Sequence, residues 1–320
     1  MSVAILGAGA FGTALAVALA ANGPVTLWTR SQDHAENMND ARENTSRLPG
    51  VSLPENVSIT AEIGDTLTSK TVLLAMPMQQ MESFLSLHSA RLDGKSIVAC
   101  SKGIDLKSGE GPTAIIARHC PNAIAAILTG PSFAADIARG MPTALTLACA
   151  QTAAGKALQI ALSTPVLRLY RSEDVIGAEL GGALKNVIAI AAGVVIGAGL
   201  GDSARAALMT RGFAEMTRVA ALRGAKAETL NGLSGFGDLV LTCTSEHSRN
   251  FRFGQSLGRG ERFDKNVTVE GAATAKAVSI LAQKHQIEMP IAAMVAALVD
   301  QKITVEAAVT ALMSRPLKQE

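Results

Sequence analysis

Lys185 lies at the head of an apolar run: after Leu184-Lys185-Asn186 the chain continues from Val187 to Leu200 without a single charge. An unpaired ammonium in such a helix costs several kcal/mol, so a lysine there signals a partner or a job. Its ordinary pKa of about 10.4 falls under burial or beside a second cation, which brings it within reach of proton transfer at neutral pH. Lys185 is therefore the catalytic candidate, with a lysine snorkelling from a helix end as the alternative. Gly235-Phe236-Gly237-Asp238 reads as a flexible turn that delivers one carboxylate ahead of Leu239-Val240-Leu241-Thr242-Cys243-Thr244. Asp238 then either pairs with Lys185 or caps a helix. Ser248-Arg249-Asn250 joins a hydroxyl, a bidentate guanidinium and an amide at the start of a helical stretch. That donor set suits a phosphate dianion, although such triplets also occur in ordinary exposed loops. His247 beside it reads as solvent-facing.

A different kind of site opens the chain. Gly7-Ala8-Gly9-Ala10-Phe11-Gly12 stands between the β-branched run Val3-Ala4-Ile5-Leu6 and a helical stretch from Thr13 to Ala21. Gly7 permits the tight turn, Gly9 lets a diphosphate approach bare backbone, and Gly12 lets helix and strand pack closely. The unpaired N–H groups at the helix start attract negative charge. This spacing predicts a dinucleotide cofactor. Arg30 follows the second strand, Val25-Thr26-Leu27-Trp28, where an NAD-selective protein often carries an acidic residue. Asp33 comes three residues later, whereas a guanidinium at position 30 accepts a 2′-phosphate, so NADP(H) is favoured and NAD(H) is the alternative.

These groups need a frame of adequate size. A chain of 320 residues suits two domains, since single cores stop growing at roughly 250 to 300 residues, and 48% hydrophobic content fills both. With 29 basic against 27 acidic residues the net charge is +2, which offers no electrostatic reason to expect nucleic acid. Cys100, Cys120, Cys149 and Cys243 form no CxxC pair and the five histidines form no HxxxH, so no metal site is expected, and four unpaired thiols suit a reducing cytoplasm. The opening residues enter a strand directly, without the pattern of a secretion signal. The uncharged run from Val187 falls short of the roughly 20 residues that a bilayer requires, so a helix buried inside a domain is expected and no membrane partner.

Short apolar runs alternate with helical stretches to about residue 150, the pattern of a parallel sheet covered on both faces. Strands are predicted at 3–6, 25–28, 71–75, 96–100, 125–128, 143–148 and 166–170. Ligands bind beyond the C-terminal ends of such strands, so Met76 to Met78, Lys102 and Gly130 to Ala134 should converge. The pattern turns helical near Ser172. This divides the chain into a Rossmann-type doubly wound α/β domain, 1–171, and an all-α domain, 172–320, with long helices at 173–200, 203–223, 270–286, 290–300 and 305–313. Asp202 or Ser203 and Thr304 offer N-caps, and Gly224 and Pro316 are stop signals.

Taken in order, the glycine turn, Ser101-Lys102-Gly103, Gly130-Pro131-Ser132-Phe133-Ala134, Leu184-Lys185-Asn186-Val187-Ile188-Ala189, Gly201-Asp202-Ser203-Ala204-Arg205, Gly237-Asp238-Leu239-Val240-Leu241-Thr242-Cys243-Thr244-Ser245 and Ser248-Arg249-Asn250 resemble the bacterial NAD(P)-dependent glycerol-3-phosphate dehydrogenases. The resemblance runs from Val3 to about Met313. It implies that Lys185 accepts the proton and that Lys102, Gly130, Ser132, Asp238, Ser248, Arg249 and Asn250 bind glycerol 3-phosphate, with Asn186 and Thr242 lining the pocket. Cofactor contacts are implied for Ala10, Phe11, Arg30, Lys102, Ala134, Arg249 and Glu270, and near Thr268, where many relatives carry valine. The implied reaction interconverts sn-glycerol 3-phosphate and dihydroxyacetone phosphate, supplying phospholipid synthesis, in a cytoplasmic homodimer joined through its helical domain. Rival readings from the residues are a dehydrogenase of 3-hydroxy acids or of 6-phosphogluconate, which also use a lysine, and a cofactor-binding sensor without catalysis. A flavin-dependent membrane dehydrogenase would need an anchoring segment that the sequence does not show.

Overall fold

A computed structural model describes residues 2–265 and 267–314. Two compact units result: residues up to Lys102 together with Glu110–Glu179, and Gly103–Gly109 together with the chain from Leu180 onward.

The first unit is an eight-stranded sheet: β1 (Val3–Leu6), β2 (Val25–Trp28), β3 (Val57–Thr60), β4 (Thr71–Leu74), β5 (Ser96–Ala99), β6 (Ile124–Thr129), β7 (Thr143–Cys149) and β8 (Leu167–Ser172), in the order β3-β2-β1-β4-β5-β6-β7-β8. Strands β1 and β4 are buried at every residue, as expected where helices cover both faces. Val3, Ile5, Leu27, Leu73 and Val98 pack on one face, and Ala4, Leu6, Val72, Leu74 and Ile97 on the other. Each fully buried Val, Leu or Ile stabilises the unit by about 1.5–3 kcal/mol. Helices α1 (Ala10–Leu19), α2 (Gln32–Ala41), α3 (Met78–Leu92), α4 (Pro112–His119), α5 (Ala134–Ala138) and α6 (Thr152–Leu162) connect the strands.

Two features differ from the sequence reading. Strand β3 was not expected; its signal is the alternation of buried Val57 and Ile59 with Ser58 and Thr60, too short to stand out. The sheet is also not wholly parallel, because β7 runs antiparallel to β6. Helix α5 between them has only five residues, about 7 Å at 1.5 Å per residue, too short to carry the chain back along the sheet for a parallel crossover.

Helix α7 (Val175–Gly197) is the axis of the second unit, surrounded by α8 (Asp202–Leu222), α9 (Ala227–Asn231), α10 (Asp238–Cys243), α11 (Arg249–Arg259), α12 (Glu270–His285), α13 (Pro290–Val299) and α14 (Val305–Met313). The division between the units falls inside α7, between Glu179 and Leu180, whereas the helical pattern in the sequence begins near Ser172. By length and composition α7 is able to cross a membrane, but 89% of its apolar window is buried inside the protein. Leu184, Val187, Ile188 and Ala191 pack there with Met216, Val219, Leu239, Phe251, Val278 and Ile291. Contact between α7 and α11 is backbone to backbone: a Cβ on Gly193 would collide with the Phe251 carbonyl, and one on Gly254 with the Ile190 carbonyl.

Gly201, not Asp202 or Ser203, caps α8, and Asp202 instead pairs with Arg205 across one turn at 2.9 Å. Thr304 does cap α14, accepting the Ala307 N–H. Gly224 follows α8 with φ +80°, and Pro316 lies outside the described residues. The expected flexible turn before Asp238 is a π-helical segment, Leu233–Gly237, leading straight into α10. It is tightly held rather than loose, because a Cβ on Gly235 would strike the Leu230 carbonyl.

Candidate active site

In the first unit, strand β1 ends at the switch point where the chain order reverses, between β2 and β4. Gly7 turns there with φ +121°, and a Cβ on it would stand 2.5 Å from the Ala75 carbonyl oxygen at the end of β4. Gly12 faces the Gly7 carbonyl so closely that any side chain would displace it. Gly9 is different: a Cβ there meets nothing within 4 Å. It is the extended N-cap of α1 and no side chain caps that helix, so the first-turn N–H groups and the open space above Gly9 fit an anionic diphosphate. Ala10 and Phe11 form the start of α1, and Arg30 lies exposed beyond β2.

The exits of β5 and β6 meet one another. Lys102 Nζ donates to the Gly130 carbonyl at 2.8 Å, and the Ser132 hydroxyl donates to the same oxygen at 3.3 Å. Gly130 takes φ +137°, a conformation that leaves its carbonyl facing both. Ser101 reaches from the same exit to the Met78 sulfur at 3.8 Å, and Ala134 begins α5 nearby in sequence.

In the second unit, one turn of α7 and one of α10 face each other. Lys185 is 6% exposed and its Nζ lies 3.0 Å from Asp238 Oδ1, with Asp238 1% exposed. Nζ also donates to Thr242 Oγ1 at 2.6 Å, and that hydroxyl donates to Asp238 Oδ1 at 3.2 Å. Asp238 and Thr242 are four residues apart on α10, which puts them on one face. Where the sequence offered a second cation as a way to perturb Lys185, the neighbours seen at Nζ are a carboxylate, Asp238, and a hydroxyl, Thr242. Cys243, next in the chain, is no rival base: burial pushes its thiol up to about 12, with the Lys185 charge pulling the other way.

Asn186, adjacent to Lys185, joins a second network. Its Oδ1 accepts from Asn250 Nδ2 at 2.9 Å, and Asn250 Oδ1 accepts from the Gly271 N–H at 3.0 Å. Asn250 thus ties α7, α11 and α12 together, and one of its N–H donors is committed to that task. Ser248 caps α11 by accepting the Phe251 N–H, which uses a lone pair rather than its hydroxyl proton. Arg249 and His247 are exposed beside it, Thr268 is exposed, and Glu270, half-buried, opens α12. The hydroxyl of Thr242 as a direct partner of Lys185 was not legible in advance, nor was the Asn186 to Asn250 bond. The sole hint of the first is the spacing of four from Asp238.

A doubly wound sheet with a glycine turn at its switch point, followed by a helical unit that buries a paired lysine, places the chain in the class of nicotinamide-dependent dehydrogenases. Residues 2–155 match the model for the NAD-dependent glycerol-3-phosphate dehydrogenase N-terminus, and residues 174–310 the model for the C-terminus. The chain belongs to the NAD-dependent glycerol-3-phosphate dehydrogenase family. It is 62% identical over 320 residues to the glycerol-3-phosphate dehydrogenase (NAD(P)+) of Ruegeria sp. (strain TM1040), covering 100% of both chains. It is 64% identical over 318 residues to that of Cereibacter sphaeroides, covering 99% of this chain and 100% of the relative. The crystal structure of glycerol-3-phosphate dehydrogenase from Coxiella burnetii superposes with a TM-score of 0.93 at 37% identity, covering 98% of this chain and 99% of that one.

Proposed function

We propose that the chain catalyses the reversible NAD(P)-linked interconversion of sn-glycerol 3-phosphate and dihydroxyacetone phosphate. The carrying observation is the buried Lys185 ammonium, held between Asp238 and Thr242. The nicotinamide supplies the hydride. In the reducing direction Lys185 Nζ polarises the substrate carbonyl and gives its proton to the developing alkoxide; in the oxidising direction it takes the hydroxyl proton. Asp238 balances the charge that Nζ carries while it is an ammonium, and Thr242 fixes its direction. Arg249, the Ser248 hydroxyl and the N–H groups at the start of α11 grip the phosphate, so that binding energy remote from C2 positions the reacting carbon. Asn250 holds α11 and α12 in register with Asn186, and the family resemblance implies that Asn186, Lys102, Gly130 and Ser132 each contact the substrate.

For the cofactor, the glycine turn with Ala10 and Phe11 receives the diphosphate, and Lys102, Ala134, Arg249, Thr268 and Glu270 complete the contacts that family resemblance implies. The guanidinium of Arg30 supports NADP(H) over NAD(H), since it complements a 2′-phosphate. The physiological direction is reduction, feeding phospholipid synthesis. Four free and buried cysteines support a cytoplasmic location. The assembly is a homodimer joined through the helical unit, which light scattering checks as a species of twice the chain mass. Following NADPH and NADH consumption with dihydroxyacetone phosphate tests substrate and cofactor at once. Oxidation of a 3-hydroxy acid or 6-phosphogluconate in preference to glycerol 3-phosphate would replace this reading.

A further inference from the structure

Arg30 stands on the corner Thr29-Arg30-Ser31 that joins β2 to α2, and a buried polar relay runs from that corner to the glycine turn. At its centre is Asn44, which is 0% exposed. Asn44 Nδ2 donates to the Ala8 carbonyl at 3.0 Å and to Thr13 Oγ1 at 2.8 Å, on the turn and on α1. A carbonyl only accepts, so the orientation of the amide is settled and its Oδ1 faces His34 Nε2 at 3.0 Å. That nitrogen donates to Asn44 Oδ1, and the other ring nitrogen, Nδ1, is hydrogen-bonded to the Thr29 hydroxyl at 3.1 Å. The Ser31 hydroxyl accepts the His34 backbone N–H and caps α2. Ala8, Asn44, His34 and Thr29 therefore form one continuous chain of hydrogen bonds, ending on the residue before Arg30.

We infer that His34 is a positioning residue for cofactor discrimination: through Thr29 it holds the β2–α2 corner in the conformation that directs Arg30 toward the 2′ position of the adenosine ribose. The inference rests on the NADP(H) reading above. His34 acts only through Arg30. A long guanidinium side chain discriminates well when the backbone beneath it is fixed, and loses aim when that backbone wanders. A cofactor that lacks the 2′-phosphate makes no use of Arg30 and is indifferent to the corner. A merely structural histidine would penalise both cofactors alike, and this difference separates the two roles.

The test uses the full chain, dihydroxyacetone phosphate at saturation, and kcat/KM for NADPH and for NADH. Arg30→Ala should lower the NADPH to NADH ratio about ten- to hundred-fold, the range of a charge-assisted hydrogen bond. His34→Ala should lower it about five- to thirty-fold with NADH kcat/KM unchanged. Thr29→Val, which removes only the hydroxyl, should move the ratio the same way by less. His34→Gln, which keeps an N–H for Asn44 Oδ1, should restore most of it. Equal losses with both cofactors in His34→Ala and Thr29→Val, or an unmoved ratio while Arg30→Ala moves it, overturn the relay alone. If Arg30→Ala leaves the ratio at the wild-type value, the NADP(H) reading fails and the relay falls with it.

Discussion

The two units build their sites from different material. In the sheet unit the turn proposed to receive the cofactor is made of backbone: Gly7, Gly9 and Gly12 contribute only the absence of side chains, and what matters is φ at one position and close approach at two others. In the helical unit the site is made of side chains that would be costly alone, a lysine, a carboxylate and a hydroxyl brought from α7 and α10 into a buried cluster. A backbone site depends on local geometry over a few residues. A side-chain site depends on packing between elements more than 50 positions apart in sequence, as Lys185 and Thr242 are, separated by 57. Perturbing the first should therefore touch one ligand selectively, and perturbing the second should cost both chemistry and stability.

The sharpest test removes the proposed proton carrier. Lys185→Ala should reduce kcat by about 10²–10⁴-fold, the worth of a positioned acid or base, while NADPH affinity by fluorescence titration stays at its wild-type value. Near-normal turnover would break the contrast outright. Asp238→Asn should follow, because it removes the carboxylate paired with a buried ammonium. A loss of about 3–5 kcal/mol in denaturant unfolding is expected, together with lower kcat. An unchanged unfolding midpoint would mean that the pair carries no stability. Arg249→Ala should raise the substrate KM about ten- to hundred-fold with kcat less affected, and inorganic phosphate should compete with substrate in the wild type. Absence of competition counts against phosphate binding by Arg249.

Gly9→Ala sharpens the comparison from the other side. Its φ of −77° suits any residue and its Cβ meets nothing, so the melting temperature should hold while cofactor KM rises about ten-fold or more. A fall in melting temperature would show that Gly9 serves the fold instead. The smallest effect concerns the thiols. Burial pushes Cys100 and Cys243 from 9.0 up to about 12, so both should resist alkylation at pH 8 in the native protein and react once it is unfolded, as read by mass spectrometry. Because the unfolded chain releases these protons first, their contribution to stability is complete below about pH 9 and declines as pH rises toward 12.

Most of the sheet was legible because strands such as β1, β4 and β6 are short apolar runs closed soon after by Gly7, Pro77 or Gly130. Strand β3 escaped because Ser58 and Thr60 dilute its pattern; β7 was legible as a strand, but its antiparallel direction was not, because direction is set by the reach of α5 and not by strand composition. In the site, the glycine turn, Lys185, Asp238 and the Ser248 to Asn250 triplet declared themselves by residue type against their surroundings. Asn44 and His34 did not. They sit in an ordinary polar stretch, and only folding brings Ala8, Thr13 and Thr29 to them.

By itself the sequence determined what local rules govern: which segments bury, where the chain turns, and that a glycine-rich strand-to-helix turn and a lysine in an apolar helix both demand an explanation. Tertiary structure alone decided the partners. Glycines at the contact of α7 with α11 let two backbones touch, a π-helical turn seats Asp238 and Thr242 opposite Lys185, and one buried asparagine links the glycine turn to the corner that bears Arg30. Pairing energies depend on distances of about 3 Å between atoms far apart along the chain, and a linear pattern carries no record of such distances.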